Sequence, residues 1–137
     1  MEIIILPSPA EVGKLAARRI AQLIQRNPAT VLGLATGSSP LAIYAELAGQ
    51  VRAGQLEVSR VRGFALDEYV GIPPGHPQSY ASVIHREVVE PLGLDPSGVR
   101  VPDGLVGAAV LVLRYAGIEV GATLFDTLRE GIAARSV

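Results

Sequence analysis

The sequence has no cysteine and no tryptophan, and only two histidines, four tyrosines and two phenylalanines among its 137 residues. Without cysteine there are no disulfides, no thiolate metal sites and no cysteine nucleophile. With so few aromatic residues, the core must be built from Ala, Val, Leu and Ile. Neither sign of charge dominates: 12 basic residues face 13 acidic ones, for a formal net charge of −1. No basic footprint points to nucleic acid, and no acidic tail points to a charge-driven partner. Long hydrophobic runs are missing too. The longest, Leu105 to Leu113, stops at Arg114, far short of the ~20 residues that span a bilayer. The opening MEIIILPSPA lacks the basic n-region of a signal peptide. No membrane partner and a cytoplasmic location are the expectation. There is no internal repeat, low-complexity tract or linker.

What is present is 49% apolar and 18% charged, with 15 Gly and 10 Pro. That composition suits one globular domain with a real core. Ile3 to Leu6 is a β-branched apolar run of the kind found in buried strands. Ser8-Pro9-Ala10-Glu11 opens a helix: Ser8 can cap, Pro9 suits the first turn and Glu11 completes a capping box. Its stripe is Val12, Leu15, Ala16, Ile20, Leu23 and Ile24, and Asn27-Pro28 ends it. Thr30 to Leu34 reads as a second strand. A second helix follows Pro40, with Leu41, Tyr44, Leu47, Ala48 and Val51 on one face and a stop at Gly54. Val61 to Leu66 is a third strand. The prolines and glycines of residues 70–77 make a loop. A helix from Gln78 or Ser79 to Glu90 is broken by Pro91, and Val99 to Val101 is a fourth strand. Beyond it the pattern predicts an apolar helix over Leu105 to Tyr115, a stop at Gly117, a short strand near Ile118 to Val120, and a final helix carrying Leu124, Phe125, Leu128 and Ile132. Strands alternating with helices give a Rossmann-like, three-layer αβα architecture with a mainly parallel sheet. In such sheets ligands bind beyond the carboxyl ends of the strands.

Two chemically rich segments fall at those ends. Thr36-Gly37-Ser38-Ser39 joins a strand to a helix. Gly37 admits close approach to the backbone, three hydroxyls add donors, and the helix behind brings free amides and the positive end of its dipole. The set suits a phosphate; the plainer reading is a loop in which Ser39 caps the helix. It is neither a P-loop nor a dinucleotide fingerprint. Asp67 and Glu68 follow the third strand, and alternation sends them in different directions. Asp67, partly shielded at the strand end, can serve as a general base; position alone also fits a capping or loop aspartate. A carboxylate beside a phosphate anchor is what enolisation of a sugar phosphate needs. His76 lies in the loop and His85 in the following helix, and neither sits in a metal-site or Ser-His-Asp pattern.

GLATGSSP (33–40), ALDEYVGI (65–72) and HPQSYASVIHR (76–86), in that order, resemble the glucosamine-6-phosphate deaminases, which convert glucosamine 6-phosphate to fructose 6-phosphate and ammonia. PAEVGKLAARRI and VRVPDG (99–104) fit as well, so the resemblance covers about the first 104 residues. It implies that Asp67 moves the proton between C2 and C1 of the open-chain sugar, with Glu68 beside it in the catalytic segment. It implies that Thr36, Gly37, Ser38 and Ser39 hold the substrate phosphate and that Tyr69, His76 and Tyr80 border the site. The small-molecule partner is a sugar phosphate, and the reaction needs no redox cofactor and no metal.

After Gly104 the match stops. The family continues with an Asp-Gly-His-Ile loop bearing its ring-opening histidine, and residues 105–137 do not align to it. They read as an unmatched α/β tail packed on the same domain. The expectation is therefore a shortened form of the family's domain, deaminating in type but lacking half of the site. The alternatives are a non-catalytic phosphosugar-binding fragment and a 6-phosphogluconolactonase-like relative. A sheet of three or four strands leaves an open edge, so self-association or a homo-oligomer is expected.

Overall fold

The computed structural model describes residues 3–69, 71–73, 75–101, 113, 119 and 121–133. Helix α1 (Pro9–Arg26) starts as its sequence demands: the Ser8 hydroxyl accepts from the Glu11 amide at 3.3 Å. Strand β1 (Val31–Leu34) leads into α2 (Leu41–Arg52), and β2 (Arg62–Ala65) follows. Helix α3 (Tyr80–Ile84) runs on through a π-helical stretch, His85–Val89, into a last turn, α4 (Glu90–Leu92). A 3-10 turn precedes β3 (Val99–Arg100), and α5 (Ala122–Ala133) is the final helix expected from the sequence. The apolar helix and strand expected over 105–120 lie almost wholly outside the described residues.

The sheet has the order β1-β2-β3, with all strands parallel. Val31 pairs with Arg62, Leu34 with Ala65, and Gly63 with Val99. This is the expected Rossmann-like αβα class, with a sheet of three strands among the described residues. The core joins Ala17, Ala21 and Ile24 of α1 and Tyr44, Leu47 and Ala48 of α2. Leu34, Ala65, Ile84, Val88 and Leu92 belong to it, as do Leu56, Val58, Val61, Val89 and Leu94.

Three expectations are corrected. Ile3 to Leu6 forms no strand, and Ile5 is 90% exposed. A buried strand exists only where neighbours satisfy its N–H and C=O groups, and this run has no strand partner among the described residues. The buried face of α1 is Gly13, Ala17, Ala21 and Ile24, rotated from the predicted stripe, so that Val12 and Leu23 are exposed. The reason is a close crossing: a Cβ at Gly13 would lie 2.8 Å from the Ala42 Cβ, so small residues must face α2. Pro91 does not end its helix. The π-helical turns before it widen the spiral, and the Glu90 amide reaches back to the His85 carbonyl. The helix ends two residues later, where Gly93 takes the left-handed conformation (φ 67°) and the Leu94 amide bonds the Val89 carbonyl. The sheet face bearing Val31, Phe64 and Leu66 is exposed among the described residues, with Leu66 at 75%, as expected of so short a sheet.

Candidate active site

Parallel strands in the order β1-β2-β3 bring the residues after Leu34 and after Ala65 side by side. The β1 end is pinned by a residue that sequence reasoning placed only on an apolar helix face. The buried Tyr44 hydroxyl accepts from the Ala35 amide at 3.0 Å and donates to the Ala35 carbonyl at 2.8 Å. Burial pushes this phenol's pKa up, against the Ala35 contact, which lowers it. Its signal was chemical: a tyrosine on a buried face needs a partner for its hydroxyl.

Beyond Ala35 the chain turns through Gly37, whose φ of 101° favours glycine and whose Cα faces open space. Ser38 and Ser39 are exposed, and the Ser38 carbonyl accepts from the Leu41 amide. Ser39 does not cap α2, which starts at Pro40 with no side-chain cap and no acidic residue in its first turn. The loop thus presents backbone and hydroxyl groups at an uncapped helix start, as anion binding requires.

Gly33, Leu34, Ala35 and Thr36 on the β1 side and Phe64, Leu66 and Asp67 on the β2 side together line an open cleft of about 420 Å³. That size lies within the range for small-molecule sites. The structure therefore brings Asp67 to the mouth of the loop at Thr36. Asp67 is exposed rather than partly shielded, because the neighbouring Leu66 is itself uncovered.

Asp67 and Glu68 diverge as alternation predicted, with only Asp67 lining the cleft. The half-buried Glu68 accepts from the Tyr69 amide at 2.9 Å and the Tyr80 amide at 2.8 Å through Oε1, and from the Ala81 amide at 2.8 Å through Oε2. It is thus bound to the start of α3, where Ser79 also caps, its hydroxyl accepting from the Ser82 amide at 3.1 Å.

The Tyr69 and Tyr80 rings lie 4.5 Å apart at 37°, and the Tyr80 hydroxyl donates to that of Tyr69 at 3.0 Å. The Tyr80 pKa is raised, first by its bond to Tyr69, then by desolvation and by the charges of Tyr69 and Asp67. His76 is placed less centrally: its Nδ1 accepts from the Gln78 amide at 3.2 Å and shapes the turn before α3. The exposed His85 pairs with Glu90 at 3.2 Å. Among the described residues no group of three or more His, Asp or Glu side chains could hold a metal ion, and no helix is long and apolar enough to cross a membrane.

Residues 9–110 match the family model described as glucosamine-6-phosphate isomerases/6-phosphogluconolactonase, a few residues beyond Gly104. A glucosamine-6-phosphate deaminase of Bifidobacterium longum is 56% identical over 110 residues, which are 80% of this chain and 41% of that protein. The deaminase of Mycolicibacterium smegmatis is 52% identical over 105 residues, 77% of this chain and 40% of the other. A solved structure of a monomeric glucosamine-6-phosphate deaminase of the NagB superfamily superposes with a TM-score of 0.74 at 26% identity, covering 86% of this chain and 52% of that one. The chain spans about two-fifths of the length of the curated relatives it matches. With more than half of its residues matched and the same parallel α/β core, it belongs to the glucosamine-6-phosphate isomerase/6-phosphogluconolactonase family.

Proposed function

We propose that this chain binds an amino-sugar phosphate, with glucosamine 6-phosphate as its substrate class, and that it carries the proton-transfer half of a deaminase site. The observation that carries this reading is the cleft lined by both Asp67 and Thr36 at the ends of adjacent strands. The substrate phosphate sits on the 36–39 loop, held by the Gly37 backbone and the Ser38 and Ser39 hydroxyls. Fixing that end places the other end of the sugar at Asp67. Asp67 takes the C2 proton of the open-chain sugar and returns it at C1, which is acid–base chemistry at carbon. Tyr69, Tyr80 and, more distantly, His76 border the bound sugar. The named relatives are deaminases, which favours this substrate over a lactone. The reaction belongs to carbohydrate metabolism in the cytoplasm, as the catabolism of N-acetylglucosamine-derived sugar.

Calorimetry with glucosamine 6-phosphate, paired with an ammonia-release assay, tests the reading. Asp67→Asn is expected to keep binding and abolish release. Release that is unchanged in Asp67→Asn refutes the assignment of the base. A second reading is favoured by the length of the match: residues that open the sugar ring in the family fall outside what this chain matches. It is a phosphosugar-binding unit without turnover, marked by binding with no ammonia release in the unaltered chain. Absence of binding overturns both. Among the described residues no strand pairs with the outer edge of β1, and this edge and the exposed face beside it further support self-association.

A further inference from the structure

The least expected feature of the site is where the second carboxylate goes. Both Glu68 oxygens are engaged by backbone amides, and two of those amides lie 12 and 13 residues further along the chain. The geometry points to Glu68 as the positioning residue of this site: by clasping the Tyr80 and Ala81 amides it holds the Tyr69–Tyr80 hydroxyl pair together where the chain leaves β2. This rests on the proposed sugar-phosphate reading for its functional consequence, but not for its structural one.

Three observations carry it. First, α3 does not need Glu68 for an ordinary cap, because Ser79 already accepts from the Ser82 amide. The carboxylate engages earlier amides, which a helix start otherwise leaves to water. Second, the contacts are short and charge-assisted, and the negative group sits at the positive end of the helix. Third, the same oxygen that binds the Tyr80 amide also binds the Tyr69 amide. One atom therefore ties together the backbones of the two tyrosines whose hydroxyls meet at 3.0 Å. Tyr69 accepts from Tyr80, so its own O–H remains a donor for a sugar hydroxyl or oxyanion. Glu68 acts through these tyrosines and need not touch the substrate.

The test uses the full chain, amide hydrogen exchange, ring-to-ring NOEs between Tyr69 and Tyr80, and calorimetry with glucosamine 6-phosphate. In the unaltered chain, the Tyr80 and Ala81 amides are expected to be protected; free exchange there overturns the proposal without any variant. E68Q keeps size and one carbonyl oxygen but presents an NH2 group to an amide donor. A charge-assisted bond of about 1.5–3 kcal/mol corresponds to roughly 10- to 100-fold. E68Q is therefore expected to speed exchange at Ala81 by at least about 10-fold and to weaken the Tyr69–Tyr80 NOEs. Affinity for glucosamine 6-phosphate should fall by a similar factor. S79A is the control for capping: it is expected to free the Ser82 amide while leaving the tyrosine contacts and the affinity in place. Unchanged NOEs and exchange in E68Q, or the same losses in S79A, overturn the positioning role. If the unaltered chain binds no sugar phosphate, the functional reading fails while exchange and NOEs still decide what Glu68 does.

Discussion

Tyr44→Phe isolates the clasp between α2 and the end of β1. The substitution keeps the ring in the core and deletes one oxygen, which accepts from the Ala35 amide at 3.0 Å and donates to the Ala35 carbonyl at 2.8 Å. A net intramolecular hydrogen bond contributes about 1 kcal/mol. Ala35 is exposed, so water replaces part of what is lost, and the expected cost is about 1–2 kcal/mol. For a chain of this size that lowers Tm by roughly 3–6 °C. The alkaline behaviour gives a second, independent reading. The folded-state pKa of Tyr44 is raised above its ordinary 10.0 by burial. Above that pH the unfolded chain ionises this phenol while the folded chain keeps its proton. The contribution is thus complete below pH 10.0 and is lost as pH rises through the folded value. Urea denaturation at neutral pH and above pH 10 should show a steeper alkaline loss in the unaltered chain than in Tyr44→Phe. Equal midpoints at neutral pH together with equal alkaline losses would refute both the clasp and its linkage to burial.

At the helix crossing, Gly13→Ala forces a methyl to 2.8 Å from the Ala42 Cβ and near its backbone. Overpacking of about 1–3 kcal/mol outweighs a helix-propensity gain of up to about 1, so thermal melts should show a lower Tm. Gly49→Ala in α2 meets nothing within 4 Å and should raise stability by about 0.5–1 kcal/mol; the same sign in both variants contradicts the crossing geometry. Ile84, 1% exposed at the join of α3 with the core, is expected to cost about 2–5 kcal/mol as Ile84→Ala in chemical denaturation. A loss below 1 kcal/mol would show the site to be uncovered. If the proposed self-association runs through β1, Val31→Lys, which places a charge on that strand, should weaken concentration-dependent association in sedimentation with Tm shifted little. Association that is unaffected would move the contact elsewhere.

Local chemistry was readable wherever its partners were local. Ser8 and Glu11 announced the start of α1, Gly54 the end of α2, and the βαβ rhythm brought Thr36 and Asp67 to the ends of adjacent strands. What escaped depended on partners far along the chain. Ile3 to Leu6 has the composition of a strand, but strands are made by neighbours. The buried side of α1 was decided by the proximity of Ala42, not by where its largest residues fall. In the site, Tyr44 reaches back nine residues and Glu68 forward twelve or thirteen. Neither spacing belongs to a helix or strand period, so no pattern within the sequence marks either residue as a fastening.

The π-helical stretch His85–Val89 has a consequence for how this segment tolerates change in length. A π turn holds one more residue than an α turn, so the helix shifts phase there, and Ile84, Val88, Val89 and Leu92 all reach the core. Removing one residue from 85–89 would let the spiral relax to the ordinary pitch. It would also drive the ring of Pro91 against a carbonyl four residues back. The wide turn and the proline are therefore a matched pair: a deletion in this stretch becomes tolerable only together with replacement of Pro91.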